Sequence, residues 1–264
     1  MIAERQVIHW NGESGRVSPY ILIGEEPLSI RVQGKPYSVV MRTPGDEIAH
    51  VAGFCLAEGL ADEPDDIVNI AFCDGSDSNV VTVMLKASRL EKIPELLERR
   101  NFISQTGCGL CGKEIVDELY QIIQPMSEGR KADIKKASEC LRHLSDHQPL
   151  RRQTRSAHAA AIYDSDYSLL SVAEDVGRHN ALDKAIGKLF LGRKLRQASL
   201  LTLSSRISYE LVQKAARARI PIIFAVSRPT ALAVELASQL NMTLACLAKD
   251  EGIYVFCGSH RLDL

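Results

Sequence analysis

The sequence predicts an α/β fold preceded by a smaller α+β lobe, and three observations predict it. Beyond Ala157, apolar runs of strand length alternate with segments of helical period. Before residue 100, period-two alternation brackets one helical stretch. Between these regions, Ser127 to Arg155 is polar and charged, with a short helical pattern at Ala137 to Leu144. A chain of 264 residues is long enough for two lobes, and we expect an N-terminal α+β domain over 15–100 and an α/β domain over 101–264.

Each element has a local reason. Leu28, Ile30 and Val32 alternate with polar residues, Gln33-Gly34-Lys35-Pro36 turns, and Tyr37, Val39 and Met41 resume the alternation, which is the pattern of a hairpin. Thr43 reads as an N-cap, with Pro44 at the first helical position and Asp46 three residues on. Ile48, Val51, Ala52 and Cys55 follow at helical spacing, and Gly59 stops the helix. Asn79 to Leu85 is a strand pattern, and Lys113 to Ile123 a helical one that ends before Pro125. In the second half the strands are His158–Tyr163, Leu169–Ala173, Ser199–Leu203, Ile220–Val226, Thr243–Leu247 and Ile253–Cys257. Helices fall at His179–Leu191, Ser208–Arg219 and Thr230–Leu240. Such alternation describes a sheet covered by helices and largely parallel in its later half.

Composition narrows the function classes. Hydrophobic residues at 45% and charged residues at 25% describe an ordinary globular protein. A net charge of -1 supplies no electrostatic drive toward nucleic acid or an anionic membrane. No apolar run approaches the ~20 residues of a membrane span, and Met1 to Arg5 lack the pattern of a signal peptide. Seven scattered cysteines predict free thiols in a reducing cytoplasm.

Only Cys108 and Cys111 are closely paired, in Thr106-Gly107-Cys108-Gly109-Leu110-Cys111-Gly112-Lys113. The glycines leave the sulfurs accessible, so the pair points to chemistry at sulfur rather than packing. A structural zinc site needs two further ligands, and no second pair at matching spacing is visible, so no structural metal is expected. A thioredoxin-like redox pair belongs directly after an early strand, which the mid-chain position fits poorly. A persulfide carrier needs one exposed thiolate of lowered pKa, which Lys113 and a following helix would favour. Spacing alone does not decide between redox exchange and sulfur carriage. Cys246, Cys257 and Cys55 sit in apolar patterns and read as core.

Three strand ends finish in polar loops: Ser204-Ser205-Arg206, Ser227-Arg228-Pro229-Thr230 and Lys249-Asp250-Glu251-Gly252. Ligands bind at the carboxyl ends of strands in open α/β sheets. The first two loops also enter helices, whose free N–H groups suit an anion such as phosphate. Arg206, Arg228 and Lys249 would add charge-assisted bonds, although the same residues would serve as plain caps in water. Glu174 to Asn180 crowds two acids, Arg178 and His179 into one strand-to-helix junction, where His179 reads as a ligand or proton-transfer group or as a structural hydrogen-bonder. His158 poses the same choice with weaker support.

These segments together resemble the FdhD family of formate dehydrogenase accessory sulfurtransferases. The likeness is carried by Thr106 to Lys113, Glu174 to Lys184, Ser204 to Glu210, Pro229-Thr230 with Leu232 to Ala237, and the closing pattern from Cys246 to Arg261. The resemblance implies a cytoplasmic homodimer whose larger domain is cytidine-deaminase-like. It implies that a cysteine desulfurase supplies persulfide sulfur, and that formate dehydrogenase is the enzyme served. The sulfur's destination is the molybdenum cofactor, bis(molybdopterin guanine dinucleotide), held as a client. The persulfide cysteine maps onto Cys108 and its companion onto Cys111. The cofactor-binding segment maps onto Leu247, Ala248, Lys249, Asp250, Glu251 and Gly252. Deaminase chemistry is not implied: Gly107 stands where P-C-x-x-C needs proline, and no H-x-E occurs. The rival expectation is a chaperone that binds the cofactor without transferring sulfur.

Overall fold

The computed structural model describes residues 2–73, 79–91, 93, 123–129, 131–249 and 252–264. The C-x-x-C segment, the helical pattern from Lys113, the 100/101 domain boundary, Asp250 and Glu251 lie outside the described residues.

Strands β1 (Ile2–Trp10) and β2 (Gly15–Ile23) form an antiparallel hairpin of their own. A four-stranded sheet follows from β3 (Glu26–Val32), β4 (Lys35–Arg42), β5 (Ile67–Phe72) and β6 (Val80–Leu85), in the order β4-β3-β6-β5. Leu28, Ile30, Val81 and Val83 project from it onto helix α1 (Glu47–Ala57), which answers with Val51, Phe54 and Cys55. The expected β3–β4 hairpin is present, with one correction. Ile30 pairs Ser38 while Arg31 pairs Pro36, so Tyr37 is an extra residue in the ladder. That bulge reverses the alternation beyond it: Tyr37 is buried, but Val39 and Met41 face solvent. The start of α1 is corrected too. Its N-cap is Asp46 rather than Thr43, because Thr43 is held by the second half of the chain, as described below. The helix does stop where expected, with Gly59 at φ 78 just past its end.

After a short helix α2 (Ala87–Leu90), the chain returns through β7 (Ala132–Asp133), α3 (Ile134–Arg142) and α4 (Pro149–Thr154). Asp133 caps α3 by accepting from the Lys135 and Lys136 amides. Then come β8 (His158–Tyr163), β9 (Leu169–Asp175), α5 (Arg178–Leu191), β10 (Leu200–Leu203), α6 (Tyr209–Arg217), β11 (Ile222–Ala225), α7 (Ala231–Gln239), β12 (Thr243–Leu247), β13 (Ile253–Cys257) and β14 (Leu262–Asp263), which pairs with β7. The large sheet runs β13-β12-β11-β10-β8-β9. Its centre, β10-β11-β12, is parallel, and its flanks are antiparallel. Every residue of β10 and β11 is buried, as a strand covered on both faces requires. Ile162, Leu201, Leu203, Ile223 and Leu244 meet α5, α6 and α7 on one face. Ala161, Leu200, Ile222 and Phe224 meet Leu141 and Leu144 on the other. The first of these cores continues without a break into the four-stranded sheet.

The join is made by α1 against α5. A β-carbon on Gly53 would lie 1.9 Å from the Asp183 carbonyl oxygen, and one on Gly187 would lie 1.7 Å from that of Ala49. The two backbones therefore touch. No helix among the described residues is long and apolar enough to cross a membrane.

Candidate functional site

The pairing senses put one set of chain ends together. Strand β9 runs with β10, β11 and β12, so the carboxyl ends of these four share one sheet edge with the starts of β8 and β13. Helices α5, α6 and α7 begin at that edge, after β9, β10 and β11. All the polar loops expected from sequence thus converge on it.

The loops are tied to one another. Ile207 and Pro229 form a parallel bridge, with the Ile207 amide donating to Arg228 O at 3.4 Å and the Thr230 amide to Ile207 O at 3.0 Å. Thr230 caps α7, its hydroxyl accepting from the Ala233 amide at 3.2 Å. The Ala159 amide donates to Ser204 Oγ at 2.8 Å, which also lies 3.5 Å from His158 Nδ1. Burial first, then Arg178 and Arg151, lower the pKa of His158 and favour its neutral ring.

The three basic residues are not equivalent. Arg206 and Lys249 are exposed, and their side chains make no hydrogen bond or ion pair with the described residues. Arg228 instead braces the far side of the edge. Its Nη1 donates to the Leu247 carbonyl at 2.7 Å, lies 3.5 Å from Cys246 Sγ, and its guanidinium sits 4.7 Å from the centre of the Tyr254 ring. Leu247 and Ala248 are half-buried, Lys249 and Gly252 exposed, and the Ala248 amide closes the turn on Gly252 O at 2.8 Å. His179 faces the same edge from α5. Its Nε2 lies 2.7 Å from Glu210 Oε2 and 3.2 Å from Ser208 Oγ, both at the start of α6. This bond holds the Glu210 carboxyl below its usual range. The pairing with Glu210 was not foreseen, although Ser208 and Glu210 stand at the cap and first turn where polar side chains face a strand-end edge.

The acids of the 174–180 junction turn inward instead. Glu174 accepts from the Leu150 and Arg151 amides at 2.8 and 2.9 Å and so caps α4. Asp175 is fully buried, and its Oδ2 pairs with Lys184 Nζ at 2.7 Å. That oxygen also accepts from the Thr43 amide at 3.1 Å, while Oδ1 accepts from Gly177 and Asn180. Lys184 Nζ donates in turn to Thr43 O at 2.7 Å, and Thr43 Oγ1 accepts from the Val176 amide at 3.0 Å. Thr43 is therefore a clasp between the two halves. Among the described residues, no three His, Cys, Asp or Glu side chains are grouped to hold a metal ion.

The fold and this edge define a class: a mixed α/β protein whose strand ends, loops and helix starts form one polar rim. A family model described as the FdhD/NarQ family matches residues 23–263, and the chain belongs to that family. It is 38% identical over 272 residues to the Streptomyces coelicolor protein named sulfur carrier protein FdhD, covering 98% of this chain and 95% of that one. It is 36% identical over 274 residues to the Mycobacterium tuberculosis protein of the same name, covering 98% of each. A crystal structure from Desulfotalea psychrophila, described as a formate dehydrogenase accessory protein, superposes with a TM-score of 0.78 at 23% identity, covering 99% of both chains.

Proposed function

We propose that this chain is a sulfur carrier for formate dehydrogenase maturation. The observation that carries the reading is the near-full-length likeness to relatives named sulfur carriers, in a chain whose only close cysteine pair is Cys108 and Cys111. In this reading the Cys108 thiolate attacks the terminal sulfur of a cysteine desulfurase persulfide and takes it as Cys108–S–SH. Cys111 then attacks the Cys108 sulfur, a Cys108–Cys111 disulfide forms, and the outer sulfur leaves as hydrosulfide for the molybdenum centre. A cellular thiol reduces the disulfide and resets the pair.

The client is the molybdenum cofactor in its bis(molybdopterin guanine dinucleotide) form. The rim supports this: β9 to β12 spans four strand spacings, roughly 19 Å, with three helix starts facing an extended polyanion. Arg206 and Lys249 contact its phosphates, His179 borders the opposite end, and Leu247 to Gly252 forms the wall that Arg228 braces. We further read the larger, C-terminal domain as cytidine-deaminase-like, the chain as a cytoplasmic homodimer, and the 15–100 and 101–264 division as two functional units.

The test is mass spectrometry after incubation with a cysteine desulfurase and cysteine. The protein should gain one reductant-labile sulfur on Cys108, and Cys108→Ala should abolish both that gain and the maturation of formate dehydrogenase. Maturation preserved in Cys108→Ala, with cofactor binding intact, would establish the chaperone reading in its place.

A further inference from the structure

A second groove lies at the opposite, amino end of the large sheet, about 580 Å³ in volume, within the usual range for small-ligand sites. Its walls are the β8–β9 turn, the segments entering β10 and β11, and residues 126–129. Met126, Pro221 and Ile222 give it an apolar part, and three arginines, Arg196, Arg219 and Arg261, line it as well.

Arg261 is the unusual one. Only 3% of it is exposed, yet no carboxylate among the described residues lies within ion-pairing distance. Its Nε donates to Asn241 O at 2.9 Å, and Nη2 donates to Ser127 O at 2.6 Å and Met126 O at 3.3 Å. Nη1 makes none of these bonds. It lies 3.8 Å from where a β-carbon on Gly129 would stand, so glycine leaves bare space over that nitrogen. Burial lowers the pKa of Arg261, as expected of a cation without a full counter-charge.

Arg219 is likewise bonded only to carbonyls, those of Gln124 at 2.6 Å and Pro125 at 3.2 Å, which leaves further N–H groups unused. Arg196 is paired with Glu63 at 3.2 Å on the outer rim. Two acids also line the groove. Asp164 is occupied by its own turn, its Oδ1 accepting from the Asp166 and Ser168 amides at 2.9 Å. Glu128 is exposed on the rim beside Arg261.

We propose that this groove binds a small organic oxyanion, a carboxylate or a phosphate ester, gripped by Arg261 Nη1 and Arg219 beside the apolar part. A guanidinium that is buried, half-bonded to carbonyls and open toward a cavity is suited to an oxygen anion. The site is independent of the strand-end rim, because it lies at the other end of the same strands.

The test is calorimetric titration of the full chain with inorganic phosphate and, separately, with citrate, at ionic strength held constant with chloride. Saturable binding of one or both is expected, and the stronger binder identifies the oxyanion class. Arg219→Gln and Arg261→Lys should each weaken it about tenfold or more, the effect of losing a charge-assisted bond. Glu128→Gln should tighten it, and Arg206→Gln at the far edge should leave it unchanged. Arg219 is exposed, so its variant decides the matter if Arg261→Lys fails to fold. No saturable binding, or binding indifferent to Arg219→Gln, overturns the inference. Binding lost only in Arg206→Gln assigns the anion to the rim, which overturns this site and leaves the sulfur-carrier reading standing.

Discussion

At the scale of single residues, the buried Asp175–Lys184 pair matters most to stability. Both side chains are almost wholly out of water, and each is also hydrogen-bonded to Thr43. Removing one partner strands the other charge, which typically costs about 3–5 kcal/mol. Lys184→Met should therefore lower stability by about that amount in denaturant titration, and adding Asp175→Asn should recover much of it. His50 makes a second prediction. It is fully buried on α1, and neither ring nitrogen meets a hydrogen-bond partner among the described residues. Burial, then the charges of Lys184, Lys214 and Arg42, hold its pKa down to about 3. The unfolded chain binds this proton near pH 6.5 and the folded chain does not. Stability from His50 is thus complete above about pH 6.5 and falls by on the order of 1 kcal/mol per pH unit below it. His50→Leu should flatten that slope in pH-dependent unfolding. Neither role was legible, because a sequence does not say which Lys or His a fold will bury. The Glu174-to-Asn180 junction stood out as chemical, yet its two acids, Glu174 and Asp175, prove structural, while His179 reaches the rim.

At the scale of elements, the test is the α1–α5 crossing. Gly53→Ala or Gly187→Ala would drive a methyl into a helix backbone, not into a side chain that could turn aside. Overpacking of this kind costs about 1–3 kcal/mol and often more where neighbours cannot yield, so each variant should melt clearly below the parent. The elements beyond Ala157 were readable because strands buried on both faces are continuous apolar runs, and the helices between them have the period of a covered face. The β1–β2 hairpin was not readable. Ile8, Trp10 and Val17 lie at 72%, 62% and 62% exposure, so no buried face imposed a pattern on the sequence. The bulge at Tyr37 was equally hidden, since one extra residue changes which side faces inward without changing composition.

For the whole molecule, the polar rim was legible as three separate loops, and chain topology brings them together. The sequence does not order the strands, and it did not predict that Arg228 would brace β12 and β13 while Arg206 and Lys249 stay open. If the rim holds the phosphates, Arg206→Ala and Lys249→Ala should each weaken cofactor binding by about 1 kcal/mol or more, as lost charge-assisted bonds do. Arg228→Ala should act differently, by loosening the 247–252 turn. Hydrogen exchange at Ala248, whose amide is bonded to Gly252 O, should separate local loosening from loss of contact.

The touching helices have one more consequence. Where side chains separate two helices, one can slide past the other by small rotamer changes, and domains use such shear to open and close. Here Gly53 and Gly187 leave no cushion, and each backbone sits in a notch of the other. Sliding would first require lifting the helices apart and exposing the core between them. That contact favours the two halves holding together as one frame, and in the sulfur-carrier reading any opening falls to the loops at its edges.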